Sequence, residues 1–340
     1  MDADNVCIEA SNLSKTFRVH RRAAGLKASI ASLVRRRYTD VHAVRSAALS
    51  IRQGECVALV GENGAGKTTM MKMLAGILYP SSGNLAVYGF TPSKRDYRYL
   101  RRIAFLSGQK AQLAWDLSPA DSYELFRSIY DVPRDRFRRN LDELVDILDL
   151  AGLIETQCRR LSLGQRMKCE LAGALLHEPS LLLLDEPTIG LDFDMQDIIR
   201  VFLRHYAARR GATVLITSHY MADVEAVADR LLLLQDGVFI FDGALPSFVE
   251  RFAQSREVTL TMIDPGGQRE TVESIANARP GTALSWKSGH SVTIDVPVKT
   301  VPSLVRDLTN RVDLEDLDIR QPPLETMIAR FRADRAAKSP

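Results

Sequence analysis

Short runs of hydrophobic residues give the first indication of architecture in this 340-residue chain. Residues 180–185, 212–217 and 230–234 are continuous apolar stretches of strand length, a pattern typical of strands buried on both faces of a parallel sheet. Elsewhere the apolar period becomes helical, as in residues 134–150, where one face carries Phe137, Leu141, Leu144, Val145 and Leu148. Buried strands that alternate with helices predict an α/β domain.

This alternation ends near residue 245, and a mixed pattern follows. Strand-like and helical segments then occur at 258–262, 283–286, 291–296, 301–310, 314–319 and 324–332. We therefore predict two domains, an α/β domain at residues 1–245 and a small α+β domain at residues 246–340.

Composition limits the classes of protein to consider. The hydrophobic content of 46% and charged content of 26% are typical of a globular chain. No apolar run approaches the roughly 20 residues that a transmembrane helix needs, and the first residues lack the features of a secretory signal. Any membrane role is therefore expected to be peripheral. The four cysteines form no C-x-x-C pair, which favours reduced, mostly buried thiols in a cytosolic protein.

A basic insertion is predicted at residues 18–42. Seven lysines and arginines lie between Arg18 and Arg37 with no acidic residue among them, and apolar residues at helical spacing separate them. This indicates a short basic amphipathic helix. Two interpretations stay open: a solvated surface segment, or contact with anionic lipid headgroups or a membrane partner. The net charge of +3 is too small to indicate a nucleic-acid partner, and none is expected.

A glycine-rich loop between the apolar run at 56–60 and a predicted helix has the spacing G-x-x-x-x-G-K-T of a P-loop. Backbone N–H groups of such a loop, with the positive end of the following helix, bind a polyphosphate. Lys67 can reach the outer phosphates, and the Thr68 hydroxyl is placed to bind Mg²⁺. The predicted nucleotide contacts here are Gly61, Glu62, Asn63, Gly64, Ala65, Gly66, Lys67, Thr68 and Thr69.

Two further motifs narrow the class of P-loop protein. The apolar strand at 181–184 ends in two carboxylates, with Asp185 placed to hold Mg²⁺ and Glu186 placed to polarise an attacking water. The segment Leu161-Ser162-Leu163-Gly164-Gln165 ends twenty positions before Asp185 and opens a helix. It offers a second phosphate-binding surface.

Together these motifs resemble the ATP-binding subunits of ABC transporters over about residues 5–245. The resemblance implies a P-loop NTPase fold with a helical subdomain at about 110–165. It implies that Ser162, Gly164 and Gln165 form the signature motif and that Asp192 lies in the D-loop. Phe17 occupies the position of the aromatic residue that stacks on adenine.

The same resemblance implies the catalytic and metal-binding residues. Glu186 is the expected catalytic glutamate and His219 the switch histidine beside the γ-phosphate. Gln109 is the expected Q-loop glutamine, which reaches the metal and the attacking water, with Gln112 as the second candidate. Thr68, Asp185 and Gln109 are then the predicted Mg²⁺ ligands, and ATP and Mg²⁺ the predicted cofactors.

The resemblance also implies a function. Residues 109–123 and the C-terminal unit resemble a bacterial subgroup of exporters in which ATPase and permease are separate chains. We expect two copies, as a homodimer, to meet head to tail around ATP beneath a multi-spanning permease, peripheral to the cytoplasmic face of the inner membrane. The alternative is a soluble ABC ATPase that acts on ribosomes or nucleic-acid complexes. The chain departs from the family pattern at Leu163, where glycine is commonest, and at Phe17, where tyrosine is commoner.

Overall fold

The computed structural model describes residues 5–20, 38–108, 110–264 and 266–338. The chain divides into two compact units, Met1–Leu245 and Pro246–Pro340.

The first unit contains two sheets. Its described strands are β1 Val6–His20, β2 Tyr38–Arg52, β3 Cys56–Gly61, β4 Ser82–Val87, β5 Ile103–Ser107, β6 Leu181–Asp185, β7 Thr213–Thr217, β8 Arg230–Gln235 and β9 Val238–Ala244. The smaller sheet is antiparallel in the order β2-β1-β4, and the larger has the order β5-β6-β7-β3-β8-β9. Within the larger sheet only β9 runs antiparallel to its neighbour, as expected where apolar strands are covered on both faces.

The described helices of this unit begin with the P-loop helix. They are α1 Lys67–Leu74, α2 Tyr97–Leu100, α3 Pro119–Ile129, α4 Arg134–Leu148, α5 Leu163–Leu175, α6 Phe193–Arg210 and α7 Met221–Val227, and α8 Leu245–Phe252 begins at the boundary residue. Helix α3 starts at a capping box in which Ser118 and Asp121 exchange hydrogen bonds, and α4 buries Phe137, Leu144 and Leu148. The α/β fold predicted from the sequence is confirmed.

The P-loop helix is fixed by packing on both sides. Met70, Met71, Met73 and Leu74 of α1 are fully buried. They belong to one apolar cluster with residues of the antiparallel sheet, such as Ile8 and Ile51, and of the parallel sheet, such as Leu183. Strand β3 is buried at all six positions. The loop between β3 and α1 is therefore held by two close-packed elements.

The antiparallel β1–β2 ladder reaches into both ends of the predicted basic insertion. Residues Arg18, Val19 and His20 pair with Asp40, Thr39 and Tyr38 as the end of the antiparallel β1–β2 ladder. The ladder therefore continues through polar and charged residues. The amphipathic helix predicted between Leu26 and Val34 lies outside the described residues.

The second unit has the β-α-β-β-α-β order of a split βαβ fold. Its elements are β10 Ser255–Met262, α9 Gln268–Asn277, β11 Ala283–Trp286, β12 Ser291–Pro297, α10 Val301–Arg311, β13 Leu314–Arg320 and a final helix, α11 Leu324–Lys338. The antiparallel sheet has the order β11-β12-β10-β13. Alternate residues such as Val258, Leu260 and Ile294 form a core with Val272 and Leu304 of the helices. Helix α9 was not predicted from the sequence.

Among the described residues, no helix has the length and hydrophobicity needed to cross a membrane. The four cysteines are free and buried, as predicted.

Candidate active site

The P-loop turn requires glycine at Gly66 for two reasons. This residue has φ = 108°, and a Cβ atom built on it would lie 2.1 Å from the carbonyl oxygen of Ala43. Gly66 therefore lies directly against the backbone of strand β2. The Lys67 Nζ donates hydrogen bonds to the carbonyl oxygens of Gly61, at 2.7 Å, and Glu62, at 3.1 Å. The ammonium group therefore lies over the loop.

Three neighbouring strands bring their carboxyl ends together beside this loop, which is where parallel sheets bind ligands. The hydroxyl of Thr68, in the first turn of the helix that follows β3 and its loop, donates to Oδ1 of Asp185 at 3.2 Å. Asp185 ends β6, and the Thr217 hydroxyl at the end of β7 donates to the same oxygen at 2.8 Å. A hydroxyl and a carboxylate at this distance offer Mg²⁺ the oxygen ligands it prefers.

The described residues contain no cluster of three or more His, Cys, Asp or Glu side chains that could hold a metal. Magnesium in nucleotide sites is usually held by one or two carboxylates together with substrate phosphates, so the pair of Thr68 and Asp185 fits it.

Glu186 and His219 are in direct contact. Glu186 has φ = 55°, a left-handed conformation that is uncommon for glutamate. Its backbone N–H donates to the carbonyl oxygen of Thr217 at 3.0 Å, which fixes the turn after β6 against the end of β7. Its Oε1 lies 2.7 Å from Nε2 of His219, and the side chains are 10% and 37% exposed. A carboxylate and an imidazole thus stand together at the rim of the phosphate loop.

The predicted signature residues form the start of helix α5. Ser162 is its N-cap: the hydroxyl accepts from the Gln165 N–H at 3.2 Å, and the Gln165 side chain accepts from the Ser162 N–H at 2.9 Å. A Cβ atom on Gly164 would lie 3.1 Å from Cγ of Met195 in α6. Ser162 itself is exposed. The capping box therefore presents a helix N-terminus at the surface.

The D-loop lies against this signature segment. Asp192 caps α6 by accepting from the Met195 N–H at 2.9 Å. Gly190 has φ = 75°, and a Cβ atom there would lie 3.0 Å from the Leu163 side chain. The leucine that departs from the family pattern is thus accommodated because its neighbour lacks a side chain.

Known proteins resemble this chain in sequence. A family model described as "ABC transporter" matches residues 44–189. The ABC transporter ATP-binding protein NatA of Bacillus subtilis (strain 168) is 35% identical over 219 residues, which cover 63% of this chain and 89% of that protein. The Nod factor export ATP-binding protein I of Burkholderia orbicola (strain AU 1054) is 30% identical over 292 residues, covering 84% and 94%.

A solved structure agrees in fold. The dimeric ATP-binding cassette MJ0796, bound to ADP and phosphate after hydrolysis, has a TM-score of 0.58 and 23% identity over 70% of this chain and 98% of its own.

The chain belongs to the ATP-binding subunits of ABC transporters. It is an ABC ATPase that binds ATP and hydrolyses it for transport, and its homologues place it among the ATPase subunits of exporters. The predictions of family, enzyme class and function are confirmed at this level.

The predicted Q-loop glutamine of this ABC subunit, Gln109, lies outside the described residues. Its neighbour Gly108 donates its N–H to the carbonyl oxygen of Asp185 at 3.0 Å, so the end of β5 is fixed beside the predicted metal ligand. Gln112, the second candidate, donates its side-chain amide to the carbonyl oxygen of Phe105. That contact directs the Gln112 amide to the backbone of β5.

Glu170, which the sequence analysis did not select, joins the signature helix to the Q-loop segment. This α5 residue is 3% exposed. Its carboxylate accepts from the backbone N–H groups of Gln112, at 2.9 Å, and Leu113, at 3.2 Å. Burial raises the pKa of Glu170, and the two N–H donors act in the opposite direction. The sequence gives no signal for this role, because the contacts join residues that are 57 and 58 positions apart.

Phe17 lies on β1 opposite Val41 and is half-buried. The ammonium of Lys15 lies 5.1 Å from the centre of its ring. The ring belongs to the antiparallel sheet and is partly exposed, so it is accessible for stacking. Its contact with adenine stays a prediction.

A buried network behind the active site was also missed. Asp223, in α7, is fully buried and accepts from Arg200 Nε at 2.6 Å and from the hydroxyls of Thr188 and Ser218. The sequence gives no reason to expect this burial, because Asp223 is a single acidic residue on a short helix, four positions after His219. The partners come from three separate loops and helices.

Proposed function

We propose that this subunit powers export through a separate membrane-spanning permease, as one of two copies that close around ATP at the cytoplasmic face of the membrane. The observation that carries the proposal is the Glu186–His219 contact beside the pair of Thr68 and Asp185, at the ends of three adjacent strands. The Nod factor export protein among the relatives supports export as the direction.

The P-loop is proposed to bind the phosphates of ATP. The backbone of Gly61 to Gly66 and the N-terminus of α1 face the phosphates, and Lys67 exchanges its carbonyl partners for the outer phosphate oxygens. Phe17 stacks on the adenine. Thr68 and Asp185, with Gln109, would hold Mg²⁺, which when bound neutralises developing phosphate charge.

In the hydrolysis step, Glu186 is the proposed general base. Its carboxylate orients and polarises a water molecule for attack on the γ-phosphate, and His219 holds the carboxylate and contacts the transferred phosphoryl group. The half-exposed imidazole is accessible to the nucleotide while its Nε2 remains within 2.7 Å of Glu186.

The second copy is proposed to supply the other side of each ATP site. Ser162, Gly164 and Gln165 of one copy face the γ-phosphate on the P-loop of the other, and Asp192 lies at the same contact. Support comes from the exposed N-terminus of α5 and from Phe193, which follows Asp192 and is 70% exposed. Leu163, next to Ser162, is also exposed, so this surface carries apolar area that a second copy would cover.

A groove in the first unit is proposed to receive the permease. Its cavity of about 350 Å³ lies between α2, β5 and α3. Exposed apolar residues line it, including Ile77, Tyr97 and Ile129, each about half exposed. A short amphipathic helix from the cytoplasmic side of a permease matches this shape.

The Glu186→Gln variant tests the proposal. The amide keeps the size of the carboxylate but cannot accept a proton, so we expect unchanged ATP affinity with turnover lowered roughly 10²- to 10⁴-fold. The ATP-bound variant should accumulate as a dimer in size-exclusion chromatography. The matched control is Glu178→Gln, because Glu178 forms salt bridges with Arg136 and Arg210 away from this site.

A pull-down with the same variant tests the partner. Recovery of a multi-spanning protein from detergent-solubilised membranes in the presence of ATP is expected. Recovery of ribosomal or chromosomal partners from the soluble fraction would instead support the alternative function, and wild-type turnover by Glu186→Gln would remove the proposed base.

A further inference from the structure

Asp223 lies at the centre of a hydrogen-bond network directly behind the proposed catalytic residues. It is fully buried, on α7. One carboxylate oxygen accepts from Arg200 Nε at 2.6 Å, and the other accepts from the hydroxyls of Thr188 and Ser218. A buried carboxylate accepts hydrogen bonds and donates none when ionised, so each of these groups has one defined role.

Two of its partners are next to the reacting groups in sequence. Thr188 follows Glu186 by two residues, and Ser218 directly precedes His219. The Ser218 oxygen also accepts from the Tyr220 N–H at 2.9 Å, so its hydroxyl hydrogen is directed to Asp223 and the turn that carries His219 is fixed on both sides. Asp223 thus links the turn after β6 to the turn after β7.

The third partner extends the network to the D-loop. Besides Asp223, the Arg200 guanidinium donates to Gln196 Oε1 at 2.9 Å and to Asp197 at 2.6 Å. The Gln196 amide in turn donates to the carbonyl oxygen of Leu191 at 3.1 Å, immediately before Asp192. Apart from the half-exposed Asp197, the side chains that form these links are buried, where hydrogen bonds hold geometry most firmly.

We propose that Asp223 is a positioning residue of the ATPase: through Ser218 and Thr188 it holds His219 against Glu186. The proposal rests on the roles proposed above for Glu186 and His219. Pairing of β6 with β7 joins the two turns through the backbone of Glu186 and Thr217, and the shared carboxylate supplies a second, side-chain anchor for both turns. Loss of an anchor moves the imidazole relative to the carboxylate, and displacements of about 1 Å can cost on the order of 100-fold in rate.

The competing explanation is that the network only packs α6 against α7. Two variants separate the explanations, because Ser218→Ala and Thr188→Val each remove one hydroxyl and leave the Arg200–Asp223 ion pair intact. If Asp223 positions the histidine, Ser218→Ala lowers kcat about tenfold or more while KM for ATP and the melting temperature change little. The Asp223→Asn variant shows a larger loss of kcat, provided that it folds.

A double-mutant cycle gives the sharpest test. If Ser218 acts through His219, Ser218→Ala lowers kcat in the wild-type background but causes no further loss in a His219→Ala background. Equal losses in both backgrounds would overturn the proposal. It would also be overturned if Ser218→Ala and Thr188→Val turn over ATP at the wild-type rate, or if Glu178→Gln lowers kcat to the same extent.

The two proposals fail in different ways. Wild-type turnover by Glu186→Gln and His219→Ala would contradict the proposed catalytic roles. If these two variants are inactive while Ser218→Ala and Thr188→Val are fully active, the catalytic roles stand and the positioning role of Asp223 does not.

Discussion

The stability of the first unit is expected to depend on pH through one buried histidine. His177, two residues after α5, is 8% exposed, and its ring stacks on Tyr130 with 3.9 Å between ring centres. Its Nε2 lies 3.0 Å from the carbonyl oxygen of Ile103, so this nitrogen carries the proton. The Nδ1 atom is buried and has no hydrogen-bond partner in the described part of the chain. A second proton there would place an uncompensated charge in the interior.

Burial lowers the pKa of His177 from 6.5 to about 4, opposed by the hydrogen bond to Ile103 and reinforced by Arg101 and Arg136 nearby. Because the pKa is lower in the folded state, the unfolded chain takes up the proton first. The stability that neutral His177 contributes is therefore present above pH 6.5, and it is lost as the pH falls towards about 4. A difference of about 2.5 between the two pKa values corresponds to roughly 3 kcal/mol, of which about 1.4 kcal/mol is lost by about pH 5.5.

Urea unfolding of the first unit at about pH 7.5 and 5.5 measures this loss. Trp115 reports on the unit in a Trp286→Phe background, because the other tryptophan lies in the second unit. The control is His177→Gln, whose amide can still donate to Ile103 but does not titrate. Other groups affect both proteins equally, so the wild type should lose about 1.4 kcal/mol more than the variant between the two pH values. Equal losses would refute the burial argument.

Three further predictions concern the site itself. Gly66→Ala should abolish ATP binding in an equilibrium titration, because its methyl group would overlap the Ala43 carbonyl oxygen; normal affinity would contradict this. Ser162→Asp should keep the cap of α5 and its melting temperature but prevent the ATP-bound dimer of Glu186→Gln, whereas Ser162→Ala should cost about 1 kcal/mol of stability. Glu170→Gln should speed hydrogen exchange of the Gln112 and Leu113 amides without changing ATP affinity, since an amide cannot accept both bonds at full strength; unchanged exchange would exclude the proposed link.

The sequence alone determined the features that are local in the chain. The P-loop spacing, the carboxylates at the end of β6 and the capping box at Ser162 each depend on residues only a few positions apart, so their backbone geometry follows from the residue types. The buried strands were recognised for the same reason, because a short run of apolar residues such as the four leucines of β6 is typical of a strand buried on both faces.

The tertiary structure decided everything that joins distant segments. Strand order placed β3, β6 and β7 side by side, which brought Thr68 and Thr217 to the same oxygen of Asp185. Burial of Asp223 depends on partners 5 to 35 residues away, and burial of Glu170 on partners 57 and 58 residues away. The split βαβ order of the second unit likewise rests on strand pairing. Contacts of this kind depend on packing between elements, whereas sequence periodicity reports only which face of an element is buried.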